Sequence, residues 1–368
     1  MSTSLFEFAP KTLSTTDWRK RPSQRPIVRA VALSLAALTL VLIFVSEVDD
    51  QSTLGVSTRR DGAAIRQDIF RSLRQARRCL TEGDQRCAQA GVNAVLLRDD
   101  LNSYEKAQAW NTSGAVHAEA GDTPAAIDAY ERMLAEPAVP EGLVRFGRYR
   151  LATLYALTDR LDDAIELLDL WWMSVTPEPP EPFVLRAQIQ FQRGEYSDAL
   201  NAIVQAIESA PAGEAWTAEP WYELKAQAEY ALGEIEASAQ TLEVVINQWP
   251  TREHYMQLAG LYAELGQQTR RRQIFEEAYA QGWLDHGVDL VVLAGFRLEA
   301  GHLQDALNVL EQNLDRGFMP DGESLRVLIR RIEDWRGGEQ IRPDEQRVLL
   351  RNARREQARA VQAQRFHL

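Results

Sequence analysis

Cysteine is nearly missing from this chain, and histidine and alternating strand-like patterns are scarce. Only Cys79 and Cys87 occur in 368 residues. Two cysteines cannot make a disulfide framework, and neither stands in a C-x-x-C pair, which excludes zinc-ribbon and thioredoxin-like chemistry. The histidines His117, His254, His286, His302 and His367 are dispersed. No two stand i, i+4 apart beside a glutamate, so no metal site is expected. No Gly-rich phosphate cradle opens a helix, and no Ser or Cys sits in a nucleophile-elbow context. Basic charge is also short: the net charge is -12, which argues against nucleic acid as a ligand. With no catalytic constellation, the chain is expected to be no enzyme, with no cofactor and no small-molecule substrate.

What is present is ordinary globular composition, 45% hydrophobic and 26% charged, rich in Ala and Leu, which favours helix over sheet. One segment departs from it. Residues 27–46 read IVRAVALSLAALTLVLIFVS, long enough at 1.5 Å per residue to span a bilayer core of roughly 30 Å. A transmembrane helix is expected over 27–46. The alternative, a cleaved signal peptide, fits less well with the preceding tail and the lack of a small-residue cleavage site. Arg19, Lys20, Arg21, Arg25 and Arg29 precede the core of this run, whereas Glu47, Asp49 and Asp50 follow it. The positive-inside rule then places tail 1–26 in the cytoplasm and everything after Glu47, beginning with linker 47–62, across the membrane. In a Gram-negative cell that is an inner-membrane protein with a periplasmic body. Under such oxidising conditions Cys79 and Cys87, folded together by the turn Thr81–Asp84, form a disulfide worth roughly 2–3 kcal/mol. The alternative is two small half-buried thiols.

A pattern then recurs every 33–39 residues. Gly83, Gly121, Asp159, Gly194, Gly233, Gly266 and Gly301 mark turns. Seven residues before each stands Ala76, Gly114, Ala152, Ala187, Ala226, Ala259 or Ala294. Five residues after each stands Ala88, Ala126, Ala164, Ala199, Ser238, Arg271 or Ala306. Small residues at such places let antiparallel helices approach closely. A period near 34 with these three positions resembles the tetratricopeptide repeat. The fold expected is all-α, a solenoid of about seven helix-turn-helix repeats over 63–320. By register Asn111, Tyr149, Gln188, Glu223, Gln227 and Met256 face a partner-binding groove lined by the first helices. Arg271, where the pattern prefers Ala, reads as a stem covering apolar surface with its head in water. The other reading of it is a basic contact point.

Residues 321–368 form a C-terminal extension ending in a helix from Asp344, rich in arginine (Arg347, Arg351, Arg354, Arg355, Arg359, Arg365). It is expected to cap the solenoid. The alternative is docking to an acidic partner or anionic lipid.

The stretches Ser103–Asn111, Pro140–Leu143, Gln257–Gly266 and Ala278–Leu284 resemble tetratricopeptide proteins that accompany TonB–ExbB–ExbD systems. That resemblance implies a periplasmic scaffold with TonB-, ExbB- or ExbD-like partners in energised outer-membrane transport. A second reading is an envelope-assembly or maturation factor that holds a client chain. A third has inverted topology and a cytoplasmic solenoid.

Overall fold

The computed structural model describes residues 64–172, 180–210 and 219–366. The tail, the apolar run 27–46 and the linker expected from the sequence lie outside them. Among the described residues there are sixteen helices and no strand, and no helix is long and apolar enough to cross a membrane. The chain divides into two compact units, residues 1–214 and 215–368. Each unit is described by itself.

The first unit contains four hairpins. They are α1 (Gln67–Thr81) with α2 (Gln85–Leu96), α3 (Ser103–Glu119) with α4 (Thr123–Ala135), α5 (Glu141–Leu157) with α6 (Leu161–Trp172), and α7 (Glu181–Gln192) with α8 (Tyr196–Ser209). The second unit begins with α9 (Glu219–Leu232) and α10 (Ile235–Gln248), α11 (Arg252–Glu264) and α12 (Gln268–Ala280), and α13 (Gly287–Glu299) and α14 (Leu303–Asp315). It closes with α15 (Glu323–Arg336) and α16 (Pro343–Phe366).

Local chemistry sets each hairpin. The first helix ends where a residue turns left-handed, at φ 77° for Gly83 and 74° for Gly121. The next backbone N–H then reaches back five residues, as Asp122 N–H does to the His117 carbonyl at 2.9 Å. In the first two hairpins the second helix starts on a side-chain cap: Asp84 accepts from Cys87 N–H, and Asp122 from Ala125 N–H. The small positions then do what their size predicts. A Cβ on Gly114 would lie 2.7 Å from the Tyr130 ring, so α3 can meet α4 there only with glycine. Ala126, Ala152, Ala164, Ala187, Ala199, Ala294 and Ala306 are all fully buried.

No hairpin covers its own apolar stripe, so cores run from one hairpin to the next. In the first unit the main core joins Tyr130, Met133, Leu154, Leu168, Trp171 and Ile189. Cys79 and Cys87 are bonded to each other across the first turn, with Cα atoms 5.7 Å apart. In the second unit the core joins Tyr255, Leu258, Phe275, Leu290, Leu310, Ile332, Trp335 and Ala353.

The last helix does not simply extend the stack. It packs on α15, its hairpin partner, and also on α13, the first helix of the preceding hairpin. Glu356 accepts from Ser324 N–H and Leu325 N–H, each at 3.1 Å, and so caps the start of α15. Gln357 is fully buried and donates to the Pro320 carbonyl at 2.9 Å.

Candidate functional site: the face of the first helices

In each unit the face of interest is made by the odd-numbered helices. Three residues before each small position, and one after it, side chains leave the first helix on a common side. Asn111, Tyr149, Glu223 and Met256 occupy the former register, Gln188 and Gln227 the latter.

In the first unit the start of this face is knitted internally. Arg77 on α1 donates to Gln108 at 3.1 Å and to Thr112 at 3.3 Å on α3, and Gln108 donates to the Tyr104 hydroxyl at 3.0 Å. Further along, Asn111 and Gln188 are half-buried. Tyr149 is only 8% exposed, and burial pushes its phenol above the ordinary range. It lines the face from within instead of standing on it. The Asn111 Oδ1, the Tyr149 hydroxyl and the Gln190 Oε1 find no hydrogen-bond partner among the described residues. Among the described residues, α3, α5 and α7 pack on their own hairpin partners and on neighbouring hairpins.

In the second unit the same face is used. On α13 the corresponding residues are Val291, which is buried, and Gly295. A Cβ on Gly295 would come within 3.2 Å of Leu350 of α16, and one on Gly287 would overlap the Gln357 carboxamide. The C-terminal helix therefore lies on the first-helix face of α13. Of the residues placed there by register, Gln227 is half-buried and Met256 packs against the core. Glu223 is not left free for a partner. Its Oε1 is 2.8 Å from the His254 Nε2.

That contact belongs to a cluster sequence spacing did not reveal. Glu219 and Glu223 of α9 and His254 of α11 place three donor atoms within 4.8 Å of one another. The His254 ring is buried, and its Nδ1 lies 2.8 Å from the Trp249 carbonyl. Burial pulls the imidazole pKa down, but the Glu223 hydrogen bond and the Trp249 carbonyl more than offset this, leaving it raised. The signal present in the sequence was a carboxylate pair at i, i+4 with a histidine 31 residues beyond Glu223. A search for paired histidines passes over it.

Arg271 also departs from expectation. Its guanidinium carbon lies 5.3 Å from the Phe296 ring centroid and 6.0 Å from that of Phe275, with Nε buried and unbonded. Burial and the nearby Arg354 push its pKa down. Its Nε is withdrawn from solvent and the half-buried head lies beside aromatic rings, whose faces attract a cation.

No protein-family profile matches the chain, and no curated protein matches it. Similar solved structures include a tetratricopeptide repeat protein from Parabacteroides merdae at 17% identity, covering 73% of this chain and 100% of that one, with a TM-score of 0.45. The C-terminal part of a TPR repeat-containing protein from Cytophaga hutchinsonii shares 13% identity over 69% of this chain and 94% of its own, with a TM-score of 0.47. PilW, described as a widely conserved type IV pilus biogenesis factor, shares 13% identity over 59% and 94%, with a TM-score of 0.45. None of these likenesses bears on activity or partner.

Proposed function

We propose that this chain is a non-catalytic tetratricopeptide-type scaffold whose first-helix face holds a helical segment of another protein. The observation that carries the reading is the seat of α16 on α13. One helix of the chain already lies across positions equivalent to Gln188 and Gln227, so this face accommodates an amphipathic helix. Helix-in-groove recognition needs such a surface. In the first unit this face carries the half-buried Asn111 and Gln188, whose amides suit hydrogen bonding to a partner.

We further propose that the body is periplasmic and tethered to the inner membrane through 27–46, beside a TonB-type energising complex. The charge asymmetry around the apolar run supports the tether. The resemblance of Ser103–Asn111 and Gln257–Gly266 to TonB-associated repeat proteins supports the complex. The second reading, a client-holding envelope-assembly factor, uses the same face.

The test is co-purification through a C-terminal tag from membranes solubilised in mild detergent, with partners identified by mass spectrometry. TonB-, ExbB- or ExbD-like proteins are expected. Their absence together with recovery of another envelope machine would move the chain to the second reading. Replacing Asn111 and Gln188 together is expected to weaken capture severalfold without moving the thermal midpoint. Undiminished capture would remove the first unit's face from the interface.

A further inference from the structure

We propose that Glu219, Glu223 and His254 form a binding site for one divalent transition-metal ion of the zinc class. The site stands apart from the partner reading and does not depend on it.

The argument begins with the histidine. His254 stands in the first turn of α11, where its backbone N–H is held by the Thr251 hydroxyl at 3.2 Å. Its ring is 4% exposed. Nδ1 meets the Trp249 carbonyl at 2.8 Å. A carbonyl only accepts, so Nδ1 carries the hydrogen. Metal-ligating histidines are braced in this way through their second nitrogen. In the neutral ring Nε2 then presents a lone pair, aimed at Glu223 Oε1 at 2.8 Å and at Glu219 Oε1 at 3.8 Å. Lone pairs facing at hydrogen-bond distance repel, so a positive centre belongs among these atoms.

A proton on Nε2 is one such centre, but it leaves the charge unbalanced. Glu219 and Glu223 lie i, i+4 on α9, so both carboxylates leave one helix face and repel. Among the described residues the ion pairs of both are with His254 alone. One imidazolium balances one carboxylate. A divalent ion balances both and employs all three donors.

The geometry fits such an ion. Ligands about 2.1 Å from a tetrahedral zinc stand about 3.4 Å from each other. The two N···O separations, 2.8 and 3.8 Å, straddle that value. One imidazole and two carboxylates suit zinc, cobalt or nickel better than calcium, which takes six to eight oxygens. The carboxylates are 36% and 37% exposed, so the ion can enter from solvent and keep water in its fourth position. Bound there, it would tie α9 to α11 across two hairpins.

The experiment uses the full-length chain, stripped of metal and titrated with cobalt(II) chloride at neutral pH. A visible d–d band saturating at a single equivalent is expected, and zinc chloride should displace it. The variant Glu219→Gln/Glu223→Gln alters two partly exposed side chains, and its fold is checked by circular dichroism. It is expected to bind about tenfold or more weakly. Zinc should raise the thermal midpoint of the parent and not of the variant. Absence of the cobalt band overturns the proposal and leaves a protonated His254 paired with Glu223. A zinc response of equal size in the variant also overturns it and assigns the metal to other carboxylates.

Discussion

At the turn between α5 and α6 a single side chain tells how the hairpins are made. Asp159 has φ 61°, the one non-glycine residue with positive φ among the described residues, in the place filled elsewhere by Gly83, Gly121, Gly194, Gly233, Gly266 and Gly301. A Cβ in the left-handed region costs about 1 kcal/mol, offset in part because Asp tolerates that conformation better than most residues. Asp159→Gly is therefore expected to stabilise the first unit by about 0.5–1 kcal/mol, and Gly121→Ala to destabilise it by about 1 kcal/mol. Urea unfolding of the two variants checks the opposite signs. Equal effects would mean the turn is not under conformational strain. A second residue governs the start of this unit. Glu105 is fully buried, accepts from Arg66 Nε and Nη2 at 2.8 Å each, and completes a capping box with Asn102. Burial alone would raise its pKa, but the hydrogen bonds from Arg66 and the backbone leave it below the ordinary value. A depressed carboxylate contributes stability above the unfolded pKa of about 4.3 and loses it as pH falls through the folded value. Glu105→Gln should cost about 1–2 kcal/mol at pH 7. The gap to the parent should narrow below about pH 4. A gap independent of pH would show that the lost contact is packing, not charge.

Between hairpins one bond recurs at a fixed register. At three hairpin junctions the residue three positions after the small residue of the first helix meets the residue five positions after the corresponding position of the preceding second helix. Tyr155 donates to Glu131 at 2.6 Å, Tyr262 donates to Glu243, and Arg297 takes the tyrosine's place with Glu276 at 2.6 Å. An arginine lies over each tyrosine ring, Arg160 at 3.7 Å from the Tyr155 centroid and Arg270 at 5.5 Å from that of Tyr262. Burial and the Glu131 carboxylate push the Tyr155 phenol up to about 12, so it remains a donor at any physiological pH. In α9 the corresponding residue is Glu229, which pairs instead within its own hairpin, with Lys225 and Thr241. A double-mutant cycle of Tyr155→Phe and Glu131→Gln is expected to give a coupling of about 1 kcal/mol. Additive losses would reduce the pair to a coincidence of crystal-like packing. Helix positions and turns were legible in the sequence because they obey local rules: a left-handed glycine, an N-cap, a small residue where backbones cross. The Tyr–Glu bonds, the burial of Tyr149 and the stacking of Arg271 on Phe296 were not, since each depends on which residue of another hairpin lies opposite. The Glu219–Glu223–His254 cluster was hidden for the same reason, with its carboxylates and its histidine on helices of different hairpins.

The packing of α16 on α13 and α15 shows how a first-helix face can be covered. An interior first helix is flanked by hairpins on both sides, whereas a terminal one exposes apolar surface unless something covers it. Here α16 provides the cover by turning back onto α13 as well as α15. Its buried side is narrow: Gln346, Ala353 and Gln357 are buried, Leu349 and Leu350 half-buried, and Arg347, Arg351, Arg354, Arg355 and Arg359 exposed. The arginine-rich composition, with apolar residues only near its start, does not show which helices α16 packs on, because two of the inward side chains are glutamines, one hydrogen-bonded to Pro320. Ala353→Asp would place a carboxylate at a fully buried position and should cost about 2–4 kcal/mol. Hydrogen exchange read by mass spectrometry locates the damage. Protection is expected to fall first in α13, α15 and α16, the helices α16 touches, while amides of α3 to α6 exchange at the parental rate. If α16 instead lay loosely on the surface, the substitution would leave α13 and α15 protected. The seat on the first-helix face would then be lost as the support for helix-in-groove binding, so this variant tests the physical premise of the proposed function as well as the packing.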